Sequence, residues 1–341
     1  MNKIETNRLI LRGFNVDDFE AVHSYASNAG NTMYMQFGPN SEDDTREFIN
    51  QAIISTAKTP ITHYLFAAEL KETGKLIGEC ELQLETETPA IGWIVHRDYW
   101  RKGYGTEMGM ALLKLGFEEH NLHRIIARCD EDNLGSTQLM TKIGMRREGL
   151  FLDNRKARAG SPRPYKDELI YAILQEEWYA QKEIAYYNAL PCEFDNFINV
   201  PVLSDGELYL VCIEKTRAFP ELSRVPAYRF AVCISGEKIG EVTLRVGYTN
   251  DLYYSGQIGY AIYSTHRGNN YATRATKLML PIAKAHGMQK LLITNNYINS
   301  PSRRVCEKLG ARHLRQARLP EWATLYKEGQ RFVNIYEWSV T

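Results

Sequence analysis

The feature that most constrains this chain is that it is written twice. IGWIVHRDYWRKGYGT (91–106) aligns without a gap on IGYAIYSTHRGNNYAT (258–273), at an offset of 167 residues. HRIIARCDEDNLGSTQLMTKIGMRREG (123–149) lines up with QKLLITNNYINSPSRRVCEKLGARHLR (289–315) at an offset of 166, so Asn133 meets Asn299 and Ser136 meets Ser302. Each copy reads as a strand, a polar loop, a helix from Thr106 or Thr273, a second strand and a short helix. Upstream, YLFAAEL and KLIGECELQL (64–84) pair with YRFAVCI and KIGEVTLRV (228–246), adding two strands to the unit. A repeat of this size predicts two domains, as does a length of 341 residues, long for one compact core.

The copies differ at their starts. Between RLILR (8–12) and YLFAAEL lie about fifty residues of helical character, including DDFEAVHSYAS and SEDDTREFINQAIIST. Between ELYLVCI (207–213) and YRFAVCI lie about fifteen, two of them proline, so the second copy lacks most of a two-helix segment. QEEWYAQKEIAYYNALP reads as a connecting helix ended by Pro191. The expected division is a first domain of residues 1–178, a helical linker 179–190 and a second domain 191–341.

Whole-chain charge is balanced, 41 basic against 41 acidic residues with no long basic run, which predicts no nucleic-acid partner. No apolar stretch reaches bilayer length, and MNKIETNRLILRGF lacks the apolar core of a signal peptide, so no membrane partner and a cytoplasmic location are expected. The six cysteines are scattered, without CxxC or histidines at ligand spacing. They read as inert thiols, and no metal is expected.

The loop carries the chemistry. A G-x-G turn feeding a helix brings backbone N–H groups close to a ligand, because glycine permits unusual dihedrals and has no side chain to block approach. The helix dipole adds positive potential at the same point, so a phosphate fits there. Met108, Leu112, Leu115 and Phe117 supply the buried stripe of the helix that follows.

YWRKGYGTE with CDEDNLGSTQLMTKIGMRREG resembles the acetyl-CoA-binding core of the GNAT superfamily of N-acetyltransferases, and most closely the branch of ribosomal-protein and antibiotic acetyltransferases. NRLILRGFNVDDFEAV is similar to the opening of that branch. The resemblance covers residues 5–178 well, and residues 200–340 more faintly through RGNNYATRA and NSPSRRVCEKLGA. It implies an α/β (α+β) fold of two tandem GNAT-like domains, each a mixed central sheet flanked by helices.

By position, the resemblance puts the pyrophosphate of acetyl-CoA on Arg101, Lys102, Gly103, Tyr104, Gly105 and Thr106, and the pantetheine arm beside Trp93, Ile94 and Val95. Asn133 would bond that arm, and Ser136 would stand near the sulfur to stabilise or protonate the departing thiolate. Trp100 stands where the family usually has Gln or Arg. Asn133 and Ser136 also suit a helix N-cap. In the second copy Asn270 replaces the central glycine and is expected to fill phosphate space. That copy is expected to be non-catalytic and to close the substrate groove.

The acceptor is read from GECELQLETE. Strand alternation puts Glu79, Glu81, Gln83, Glu85 and Glu87 on one face, and Cys80, Leu82 and Leu84 on the other. The acidic face is either a solvated strand surface or the lining of the acceptor groove, with Glu79, Glu81 and Glu85 binding substrate. Acetylation needs a neutral amine, so a base is required. TPAIGW lacks the acid the family often has before the loop, which leaves Glu81 and Glu87 as candidates and His96 as an outside one. The leading expectation is acetylation of a primary amine on a cationic small molecule such as an antibiotic, in resistance or self-resistance. The alternatives are acetylation of a ribosomal or other protein N-terminus, and a non-catalytic acetyl-CoA sensor. The basic loop NRKARAGSPRPYK (154–166) is read as a hairpin connection, or as a contact to the coenzyme's ribose phosphate or to the ribosome. Two such domains in one chain suggest a monomer that mimics a dimer.

Overall fold

The computed structural model describes residues 2–158, 161, 163–219, 221 and 224–340. The chain divides into two compact units, Met1–Tyr179 and Ala180–Thr341.

The first unit opens with β1 (Ile4–Glu5) and β2 (Leu9–Arg12), then α1 (Phe19–Ala26) and α2 (Glu42–Ala57). β3 (His63–Leu70), β4 (Leu76–Gln83) and β5 (Ala90–Val95) follow, then α3 (Tyr104–Lys114), β6 (Arg124–Asp130) and α4 (Leu134–Lys142). β7 (Arg146–Lys156), β8 (Tyr165–Leu174) and α5 (Gln175–Asn188) come last, and the boundary between the units falls within α5. The sheet order is β1-β2-β3-β4-β5-β6-β8-β7. Local chemistry explains the starts of the helices. Ser41 caps α2 by accepting from the Asp44 N–H, while the Asp44 carboxylate accepts from the Ser41 N–H at 2.9 Å.

Alternation along the strands builds one core on each face of this sheet. Phe66, Cys80, Leu82 and Ile91 pack with Met108, Leu112 and Met140 of α3 and α4. Leu65, Ala67 and Ile94 pack with Val22 and Tyr25 of α1 and Ile49 of α2. Gly78 is glycine because β4 meets the end of β5 there: a Cβ would lie 2.2 Å from the Ile94 carbonyl oxygen.

β5 and β6 are the only parallel neighbours among the described ladders of this sheet, and they pair at Ala90↔Ile126 alone. β5 keeps its ladder with β4 to Val95, while beyond Ala90 it parts from β6. The sheet therefore opens into a V toward the end of β5, where the loop to α3 begins.

Two expectations change. β4 ends at Gln83, and the chain then turns, with the Thr86 hydroxyl donating to the Thr88 carbonyl at 2.6 Å, so Glu85 and Glu87 leave the acidic strand face. Both helices begin at a tyrosine, Tyr104 and Tyr271, two residues before the expected threonines, because the residue before each is left-handed and ends the loop. In the basic stretch 154–166, Ala159, Gly160 and Pro162 lie outside the described residues. Its Arg155 pairs with the buried Asp130 at 2.7 Å and donates to the Tyr34 carbonyl.

The second unit holds β9 (Leu203–Ser204), β10 (Leu208–Thr216), β11 (Ala227–Ile234), β12 (Glu237–Arg245), α6 (Asn250–Ser255) and β13 (Ile258–Ile262). α7 (Tyr271–Leu278), α8 (Leu280–Ala285), β14 (Lys290–Asn296), α9 (Ser300–Leu309), β15 (Arg312–Arg318), α10 (Thr324–Lys327) and β16 (Phe332–Ser339) complete it. Among the described residues no α-helix lies between β10 and β11. Here the parting is complete: β9–β13 form one sheet and β14-β16-β15 another. Gln257 holds the two together. Its N–H donates to the Leu292 carbonyl at 2.8 Å, and its side-chain oxygen accepts from the Leu292 N–H at 2.6 Å. Cys80, Cys129, Cys233 and Cys306 are buried, Cys192 and Cys212 partly exposed.

Candidate active site

The loop that leaves β5 has two left-handed residues, Arg101 (φ 60°) and Gly103 (φ 83°), and the second is the residue before α3. No side chain caps α3, whereas α2 and α4 are capped by Ser41 and Asn133. The first-turn N–H groups that every helix leaves over are thus not taken up by a cap in this loop. This backbone fits a phosphate, and acetyl-CoA would place its pyrophosphate there.

The loop is tied down from below. Arg8 donates through Nη1 to the Lys102 carbonyl at 2.9 Å and through Nε to Glu107 at 2.8 Å. Glu107 also accepts from the Arg8 N–H at 2.6 Å and from the Thr6 hydroxyl. Trp100 donates its indole N–H to the Val95 carbonyl at 2.7 Å, and Asn31 reaches the same oxygen at 3.2 Å while accepting from the Arg97 N–H at 2.7 Å. No local sequence signal marks Arg8, Glu107 and Asn31, because their roles depend on partners up to 101 residues away. Gly105 has a second reason to be glycine: a Cβ there would lie 2.6 Å from Leu139 Cδ1, so its bareness lets α3 approach α4.

Trp93 and Val95 pack toward the α3 core and Ile94 is buried in the α1–α2 core, while the backbone of this stretch borders the V between β5 and β6. Across the V, the Asn133 side-chain oxygen accepts from the Ser136 N–H at 3.0 Å. This leaves the Asn133 amide nitrogen as a donor, so capping and holding a pantetheine arm are compatible. Ser136 is half-buried in the first turn of α4.

On the α1–α2 face lies a pocket of about 440 Å³ lined by Val22, Tyr25, Phe37, Phe48, Asp44, Glu47 and Glu79, among others. Its charged lining residues are all acids. Glu79 accepts from the Tyr25 hydroxyl at 2.7 Å, and Tyr25 is 1% exposed. Burial pushes Glu79 up to about 7, with the nearby Glu81 adding to the rise and the Tyr25 hydrogen bond opposing it.

Glu81 sits two residues along the same strand face, held by His63 Nε2 at 2.6 Å and Gln83 at 3.0 Å. Burial works against its charge, yet these hydrogen bonds outweigh burial and keep it below the usual carboxylate range. Glu85 is exposed and accepts from Thr62; Glu87 is exposed in the turn. His96 caps the turn Arg97–Tyr99 by accepting from the Asp98 N–H. Among the described residues no group of three or more His, Cys, Asp or Glu could hold a metal, and no helix is long and apolar enough to cross a membrane.

The second unit repeats the loop in different residues. Gly268 (φ 91°) and Asn270 (φ 63°) take the two left-handed places, Arg267 donates to the Ile262 carbonyl as Trp100 does to Val95, and α7 is likewise uncapped. The Asn270 side-chain oxygen accepts from Lys308 at 3.2 Å. The larger change is deeper. Tyr260, at the place of Trp93, shares a 2.7 Å hydrogen bond with the hydroxyl of Ser302, at the place of Ser136, and so bridges β13 to α9 across the gap between β13 and β14.

A family model described as an acetyltransferase (GNAT) domain matches residues 8–146 and 162–312. The uncharacterized N-acetyltransferase YnaD of Bacillus subtilis (strain 168) is 38% identical over 177 residues, 51% of this chain and 98% of that protein. The uncharacterized N-acetyltransferase p20 of Bacillus licheniformis is 28% identical over 182 residues, 52% of this chain and 99% of its own length. The crystal structure of a GNAT-family acetyltransferase from Bacillus anthracis, 37% identical, matches 51% of this chain and 99% of its own with a TM-score of 0.45.

Proposed function

Because this chain belongs to the GNAT acetyltransferase family and is an N-acetyltransferase, we propose that its first unit moves the acetyl group of acetyl-CoA to a primary amine of a cationic small molecule. The acidic pocket on the α1–α2 face carries this reading, since its charged residues, Asp44, Glu47 and Glu79, are all of one sign. The unit as a whole leans the same way, with 21 Lys and Arg against 27 Asp and Glu through Tyr179. Phe37, Phe48 and Val22 give the acceptor an apolar wall. An antibiotic met in resistance or self-resistance is the acceptor class put first.

Acetyl-CoA, when bound, supplies an activated acyl thioester. The chain's own residues orient it: the Arg101–Thr106 backbone at the phosphates, the open edge of β5 and Asn133 along the arm, and Ser136 toward the sulfur. The second unit is read as non-catalytic. The Tyr260–Ser302 bond supports this, because it spans the gap that an arm would need.

The test is incubation with acetyl-CoA and a panel of aminoglycosides, polyamines, cationic peptide antibiotics and ribosomal N-terminal peptides, following thiol release and product mass. One added acetyl group on a cationic small molecule, with peptides unchanged, is the expected result. Acetylation of the peptides alone overturns the acceptor class in favour of protein N-termini. Binding of acetyl-CoA without any product points to a sensor.

A further inference from the structure

Resting on the amine-acceptor reading, we propose that Glu79 is the general base of the transfer and that Tyr25 is its positioning residue. Neither candidate base from the sequence suits the task. Glu81 is committed to His63 and Gln83, and Glu87 stands exposed in a turn outside the strand. Glu79 instead lines the acidic pocket, and its backbone pairs with Ile94 on the strand that borders the V. It is thus on the acceptor side of the sheet, one strand from where a thioester would enter.

The groups around it define its chemistry. From α1 the Tyr25 hydroxyl donates to it; from its own strand Glu81 adds negative charge; Asp44 and Glu47 of α2 line the same pocket. The partners of Glu79 on β3 and β5, Ala67 and Ile94, are apolar. Burial among these groups puts its titration near neutrality, where a base both holds and releases a proton readily. Tyr25 is itself driven well above the ordinary phenol range by burial and by Glu79, so it stays protonated and donates.

The Glu79 carboxylate takes one proton from the ammonium of the acceptor. The freed lone pair forms the C–N bond to the acetyl carbon, the C–S bond breaks, and the second nitrogen proton ends on the sulfur. Glu79 then returns its proton to solvent.

Wild type, Glu79→Gln and Tyr25→Phe are compared across pH on whichever amine, cationic drug or N-terminal peptide, the wild type acetylates best. A failure of the cationic-acceptor reading therefore leaves the base test intact. Glu79→Gln is expected to lower kcat about 100-fold and abolish the acidic limb near pH 7, with the KM for acetyl-CoA unchanged. Tyr25→Phe is expected to move that limb to higher pH, since the carboxylate loses a donor. A structural role alone would leave the limb in place. Should Glu79→Gln keep both the rate and the limb, the proposal fails. Carboxyl NMR of the full chain without acceptor gives an independent reading: a Glu79 midpoint near 7 is expected, and an ordinary glutamate midpoint overturns the proposal.

Discussion

At the scale of single residues, the candidate site leaves the start of α3 without a side-chain cap and ties the loop before it tightly. Gly103 and Arg101 bend the loop, while Arg8 and Glu107 fix it from beneath. Glu79 is the group whose environment departs most usefully from that of a free carboxyl, and this has a cost in stability with a defined sign. Its folded titration is raised to about 7 from 4.5, so the folded chain holds the proton more tightly than the unfolded one. Its contribution is fully present below about pH 4.5 and is lost as pH rises through about 7. Relative to wild type, Glu79→Gln is therefore expected to gain melting temperature as pH rises across that window and to level off above it. Thermal melts at half-unit pH steps check this; a difference independent of pH would show that Glu79 titrates normally.

At the scale of elements, the two N-termini proposed to face the coenzyme differ in how they are finished. α3 has no side-chain cap, whereas α4 is capped by Asn133. Asn133→Ala is expected to cost about 1 kcal/mol in urea unfolding through the lost cap. It is also expected to raise the KM for acetyl-CoA through the lost amide donor. A stability loss with KM unchanged would reduce Asn133 to a cap alone.

The strand–loop–helix order was legible in the sequence because it rests on local signals: periodicity, the glycine turn and the caps. The extent of the acidic face was not, since alternation carries past Gln83 only while the chain stays extended, and Thr86 and Thr88 turn it instead. Nor was the reason for Gly105, which is set by Leu139 on another helix, nor the pairing of Tyr25 with Glu79, 54 residues apart.

At the scale of the whole molecule, the neutral balance conceals a division. The first unit is acidic, while residues from Ala180 onward hold 20 Lys and Arg against 14 Asp and Glu. The repeat likewise preserves more than its residues suggest. Glycine has moved from the second left-handed place in the first loop to the first place in the second, and both backbones keep the same turn. Asn270 is thus a lesser change than the sequence implies, and the bond between Tyr260 and Ser302 a greater one.

The most direct test is the calorimetric stoichiometry of acetyl-CoA on the full chain, in wild type, Gly103→Asp and Asn270→Asp. The account predicts one site per chain, lost in Gly103→Asp, where the new side chain sets strain and negative charge on the phosphate loop, and kept in Asn270→Asp. Two sites in the wild type, or a single site that survives Gly103→Asp and disappears in Asn270→Asp, would contradict it.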